Sequence, residues 1–252
     1  MTDERTLGER ARERFWTSAV GRRGRHLLIT RTRGAHRRTT ALLKRLTPDQ
    51  DPRAWSNGRI AAAAGGVDGD VVHVSAWRDE DKHGRRYRDY FPAARSYTTT
   101  NVGGASGDIS GADVPLDLTV PVDPLRRGAF DFVLNHTTLE HVHAVDVALD
   151  NLFAMTRRDL CLVVPFMQVE HWDSPSFADH WRFTAFGLAQ AALDHGFEVV
   201  SLTSNHNPVW PIYYCLHARR SAAPPPGDLW SITGTAPGFG FRPVDPGHPL
   251  MM

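Results

Sequence analysis

Residues 130–166, FDFVLNHTTLEHVHAVDVALDNLFAMTRRDLCLVVPF, read as strand, helix, strand. FDFVLNHT (130–137) is a strand, and a helix is predicted from about 138 to 156. DLCLVVPF (159–166) is then an almost unbroken apolar run. A strand apolar at nearly every position must be covered on both faces, which is the condition of a parallel sheet inside an α/β protein. A helix between two such strands is the crossover that parallel pairing requires. The chain is therefore expected to build an open sheet with helices on both faces.

The alternation extends over residues 70–219. DVVHVSAW (70–77) is a strand by its valine density. YRDYF (87–91), stopped by Pro92, fits a short helix, and SYTTTN (96–101) is a second strand leading into a Gly-containing loop. VPLDLT (114–119) is a weaker strand. FTAFGLAQAALDHGF (183–197) has apolar residues at helical spacing and stops at His195-Gly196. FEVVSLTSN (197–205) and WPIYYCLHAR (210–219) follow with only a short turn between them, so the sheet should end in an antiparallel pair.

Outside that stretch the character changes. Residues 1–69 are expected to form a basic, mainly helical extension, with helices at 4–20 and 39–46 and a short strand at 26–30. Residues 70–219 are the main domain, and 220–252 a Pro/Gly-rich tail without regular core elements. The net charge of +1 conceals an uneven distribution: 13 Arg or Lys face 4 Asp or Glu over residues 1–46, against 16 and 24 over the remainder. A basic arm permits a phosphate-bearing or acidic partner, but no nucleic-acid-binding motif accompanies it, so nucleic acid is not the expected partner. Two cysteines in apolar runs, Cys161 and Cys215, do not make a disulfide framework. A cytoplasmic, soluble protein is the expectation, since no apolar segment is long enough to cross a membrane and no signal peptide opens the chain. Nothing in the sequence sets the oligomeric state.

Several stretches in order carry a family resemblance. FDFVLNHTTLEHVHAVDVALDNLFAMTRRDLCLVVPF is similar to the fourth strand, helix and fifth strand of small-molecule methyltransferases with a Leu-Glu-His signature. EHWDSPSFADHWRFTAFGLAQAALDHGFEVV (170–200) resembles their next stretch, and YRDYFPAARSY (87–97) their helix and second strand. The chain thus resembles class I S-adenosylmethionine (SAM)-dependent methyltransferases over roughly 150 residues. The resemblance implies an α/β, Rossmann-like fold: a mostly parallel seven-stranded sheet with an antiparallel end and helices on both faces. It also implies SAM as cofactor and a small molecule as substrate, a saccharide or secondary-metabolite hydroxyl or amine.

Ligands of such sheets bind beyond the carboxyl ends of the strands. The candidates there are Ser75, Ala76 and Trp77 after the first strand, Asn101 after the second, Asp117 after the third and Asn135 at the fourth. The family's acidic residue and Gly-x-Gly run are replaced: His73 stands near the acidic position, Ser75, Ala76 and Trp77 occupy the loop, and Asn101 stands where a carboxylate would accept the ribose hydroxyls. Trp77 offers a face for adenine. Asp79, Glu80, Asp81 and Lys82 are expected to bring charge to where the cofactor or substrate lies.

His136 and His171 are the candidate catalytic bases, taking the proton that an acceptor sheds during methyl transfer. His136, His141, His143 and His171 are expected on one rim. Trp172, His180 and Arg182 are candidate substrate contacts, Arg182 holding an anionic group or bracing the loop against Asp173 or Asp179. Glu140 and His141 resemble part of a Glu-x-x-Glu-His run that holds a divalent metal in some relatives, although the first Glu is missing. Two further readings stand beside methyl transfer: an enzyme that keeps the fold and does metal-assisted or acid–base chemistry, and a non-catalytic partner subunit.

Overall fold

The computed structural model describes residues 51–103, 111–171, 178–205 and 212–222. The chain divides into units at residues 1–49 and 50–252, and the description concerns the second. The elements expected at 4–20, 26–30 and 39–46, Trp172, and the tail from residue 223 on lie outside the described residues.

Seven strands form one sheet: β1 (Asp70–Val74), β2 (Ser96–Asn101), β3 (Val114–Pro115), β4 (Phe130–His136), β5 (Thr156–Pro165), β6 (Phe197–Ser204) and β7 (Tyr213–Arg220). Their order is β3-β2-β1-β4-β5-β7-β6, with β7 antiparallel to both neighbours and the other pairings parallel. Strand order reverses between β1 and β4, which opens the crevice where such sheets take ligands.

Three helices cover the sheet: α1 (Pro52–Ala64), α2 (Val145–Met155) and α3 (Ala185–Asp194). The period-two alternation of the strands sorts the core into two layers. Val72, Val74, Val133, Leu160, Leu162 and Val164 pack with residues of α2 and α3. Val71, Phe132, Leu134, Cys161, Val163 and Cys215 point the other way, against Ile60 and Ala64 of α1. Cys161 and Cys215 are free thiols buried in this second layer, their sulfurs 3.8 Å apart. By the same alternation His73 and His136 face α1, whereas Asn135 faces α2 and α3.

Helix α1 falls within residues 1–69, the stretch expected as a mainly helical extension, yet its apolar face belongs to the core of this unit. Its local cause is plain. Asp51 caps the helix by accepting the backbone N–H groups of Arg53 and Ala54, Pro52 occupies the first turn, and the Ala run carries it to Gly65. Helix α3 is capped by Thr184 and ends at Gly196, which is left-handed at φ +77°.

Three expected elements come out shorter. The strand at 114–119 stops at Pro115, because the Asp117 carboxylate takes the Thr119 N–H and bends the chain. YRDYF is a single 3-10 turn, Tyr87–Tyr90. The helix expected from 138 begins only at Val145, after a 3-10 turn at Leu139–His141. There the Glu140 carbonyl accepts the N–H groups of His180 (2.7 Å) and Trp181 (3.3 Å), so it cannot serve a continuous helix. No helix among the described residues is long and apolar enough to cross a membrane.

Candidate active site

The loop after β1 has an unusual backbone. Ser75, Trp77 and Asp79 are all left-handed, at φ +58°, +43° and +58°. Left-handed backbone costs a non-glycine residue about 1–2 kcal/mol. It recurs here at every second residue, the rhythm that glycines would normally supply.

Side-chain and backbone bonds hold that path. The Ala76 N–H donates to the Thr100 carbonyl at 2.8 Å, tying the loop to β2. Asp79 turns back under the loop, and its buried carboxylate lies 2.8 Å from His73 Nδ1, accepts the Tyr97 hydroxyl at 2.8 Å and accepts the Arg88 N–H at 3.2 Å. Burial alone would raise its pKa, but the His73, Tyr97 and Arg88 hydrogen bonds hold it below the usual carboxylate value. Asp81 is likewise buried, accepting the Tyr90 hydroxyl and the N–H groups of His83 and Arg85. The expectation that this loop brings its charge to a ligand is therefore corrected for Asp79 and Asp81. Both carboxylates face inward, because the left-handed turns need bracing from below.

Asn135 pairs with Val74 across β4 and β1 and donates its amide to the Val74 carbonyl at 3.0 Å. It is fully buried and its Oδ1 has no partner among the described residues. The Asn101 side-chain oxygen accepts the Val102 N–H at 3.0 Å, so its NH2 is the part left to offer. Asp117 is occupied with Thr119, accepting from both its N–H and its hydroxyl. Ser75, Ala76, Thr100 and Asn135 thus converge at the β1 crevice, while Asp117 is spent on a turn.

His136 sits under α1. Its ring nitrogens lie 2.7 Å and 3.0 Å from Arg53 Nη1, with Ser56 Oγ 3.0 Å from Nε2 and Thr137 Oγ1 3.0 Å from Nδ1. The rings of Tyr87 and Tyr213 flank it, at centroid distances of 5.6 and 6.1 Å. Burial first, and then the Arg53 charge, pushes its pKa well below the usual value. A ring so enclosed is a poor proton acceptor, and the structure argues against His136 as the base.

The other histidines do gather at a rim beyond β4 and β5. His141 and His171 meet edge to face at 5.0 Å, and His143 and His180 at 5.2 Å. Asp179 organises this rim. Its carboxylate pairs with Arg182, accepts the His171 N–H at 3.0 Å and lies 3.2 Å from His171 Nδ1. Although burial would raise it, the Arg182 and His171 bonds hold the Asp179 pKa down to about 2. Arg182 therefore braces the loop through Asp179, while Asp173 lies outside the described residues. A cavity of about 440 Å³ opens beside it, lined by Phe166, Gln168, Glu170, His180 and Trp181 among others.

Glu140 is buried at 1% exposure, and burial, with the nearby Asp179 charge, raises its pKa to about 8. Burial thus favours the protonated carboxyl, which is a poor metal ligand. Its Oε1 lies 3.9 Å from His141 Nε2, and no group of three His, Cys, Asp or Glu side chains that would hold a metal occurs among the described residues. The Glu140–His141 pair thus does not assemble a metal centre there.

Sequence reasoning missed Arg53, Ser56, Tyr87 and Tyr213. The Asp51-Pro52 cap signal followed by the alanines of α1 was the available clue to the first two.

The sheet order with its antiparallel β7 is that of the class I SAM-dependent methyltransferase fold. No family model matches the sequence, and no curated protein matches it. Among solved structures, 1,6-didemethyltoxoflavin-N1-methyltransferase from Burkholderia thailandensis is 16% identical at TM-score 0.48, covering 78% of this chain and 90% of that one. A SAM-dependent methyltransferase from Mesorhizobium loti is 12% identical at TM-score 0.48, covering 65% and 96%. A Rhodobacter sphaeroides chain with the provisional name of a Zn-dependent alcohol dehydrogenase is 12% identical at TM-score 0.49, covering 71% and 94%. Likenesses this distant say nothing of this chain's ligand.

Proposed function

We propose that the chain is an enzyme that takes SAM at the β1–β4 crevice and methylates a hydroxyl or amine of a small molecule. The observation that carries this reading is the left-handed alternation at Ser75, Trp77 and Asp79. A strained path braced by buried side chains serves ligand approach in place of glycine freedom. The residues fit the cofactor in a particular way. The loop backbone would hold the nucleoside, half-exposed Trp77 would give its indole face to adenine, and the Asn101 NH2 would donate to the ribose.

When bound, SAM would supply an activated methyl group for the acceptor oxygen or nitrogen. The chain's own part is to orient the acceptor and take its proton. His171 suits that task. Its Nδ1 faces the Asp179 carboxylate and the Val169 carbonyl, so the Nδ1–H tautomer is favoured and Nε2 keeps a lone pair at a partly exposed rim. His180 and Trp181 line the cavity beside it and would contact the acceptor.

A second reading, an enzyme on this fold with another ligand, draws on Asn101, which brings no carboxylate to the end of β2. Calorimetric titration of the full chain with SAM and with S-adenosylhomocysteine decides between them. Micromolar binding of both is the expected result; no heat from either overturns the proposal and favours the second reading.

A further inference from the structure

We propose that Arg53 is the anchor of a carboxylate-binding subsite beyond the carboxyl ends of β4 and β5, so that the small-molecule substrate carries an acidic group. This rests on the reading of the chain as a small-molecule enzyme and adds the chemistry of its substrate.

The spot lies over paired strand ends: His136 pairs with Val163 and Pro165 with Tyr213. Arg53 reaches it from the first turn of α1 and is partly buried. The groups that touch its guanidinium are neutral. Nη1 contacts the His136 ring nitrogens and lies 3.5 Å from the Tyr87 hydroxyl, and the guanidinium stands 5.8 Å from the centre of the Tyr213 ring.

No carboxylate among the described residues lies within ion-pair distance of Arg53. Three acids bear electrostatically on the flanking tyrosines, and each is otherwise engaged. Asp51 caps α1, Asp81 accepts the Tyr90 hydroxyl and two backbone N–H groups, and burial raises the Glu140 pKa. Among the described residues the guanidinium thus lies beside phenols and an imidazole with no carboxylate against it. A guanidinium out of bulk water is costly without an anion, and its planar fork matches a carboxylate.

The test uses the full chain, with benzoate as the charged probe and benzamide as its neutral match, followed by calorimetry or NMR titration. Benzoate should bind in preference to benzamide, and Arg53→Gln should weaken benzoate about 10- to 100-fold, as expected for loss of a charge-assisted hydrogen bond. SAM titrated in parallel should bind wild type and variant alike. Equal binding of benzoate and benzamide, or benzoate affinity unchanged in Arg53→Gln, overturns the inference. If the variant does not fold, the wild-type preference decides alone. Arg53-dependent benzoate binding without SAM binding would keep the subsite and remove the methyl-transfer reading; SAM binding without benzoate preference would do the reverse.

Discussion

Replacing Asp79 should expose what the first loop rests on. Its carboxylate meets His73, Tyr97 and the Arg88 N–H inside the protein. Asp79→Ala strands three polar groups, each worth about 1–3 kcal/mol when left unsatisfied, though water entering the loop will recover part of that. Aspartate and alanine both carry the left-handed cost of about 1–2 kcal/mol at φ +58°, so that contribution largely cancels between them. The expected loss is about 3–5 kcal/mol. Asp79→Gly strands the same groups but relaxes the backbone, so it should fall about 1 kcal/mol less than alanine. Asp79→Asn keeps an acceptor and tolerates the left-handed turn, and should lose least. The assay is urea unfolding, comparing midpoints at constant m-value. The pH dependence follows from the lowered pKa: the carboxylate's contribution is complete above the unfolded value of about 3.9 and is lost as pH falls through the folded one. The wild type should lose this increment on acidification and the Asn variant should not. An alanine variant within about 1 kcal/mol of wild type, well short of the sum above, would refute the reasoning.

Glu140→Gln should be more stable than wild type at pH 7. A carboxyl raised to about 8 in the fold binds a proton that the unfolded chain, at about 4.3, has released, so wild-type stability falls as pH rises between those values. Thermal melts across pH 4–9 should show that fall in wild type and its absence in the variant. His171→Gln should lower turnover about 10²- to 10⁴-fold while SAM affinity stays unchanged; undiminished turnover would remove His171 as the base.

The sheet was legible because its signals are local and redundant. Valines in β1, the apolar run of β5 and the Gly196 stop after α3 each fix an element on their own. The end of the third strand and the late start of α2 were not, because each depends on a particular hydrogen bond. Asp117 bends the chain through Thr119, and the Glu140 carbonyl is taken by His180 and Trp181, some forty residues away. The site divides along the same line. Arg182 bracing Asp179 could be read from close sequence spacing, and the altered glycine loop from its missing residues. The inward turn of Asp79 could not, since its partners His73, Arg88 and Tyr97 are contributed by separate elements. His136 drew attention by its place after β4, but its chemistry is set by α1, whose contact with it spans eighty residues of chain.

The two buried cysteines give the protein a built-in gauge of its own opening. Cys161 and Cys215 lie on the adjacent central strands β5 and β7, and their neighbourhood keeps the Cys161 thiol from ionising. Both thiols face the layer under α1, so a thiol reagent reaches them only when that layer opens. The rate at which the unmodified chain is alkylated under native conditions therefore reads the free energy of lifting α1 and its layer from the sheet. That readout needs no introduced probe.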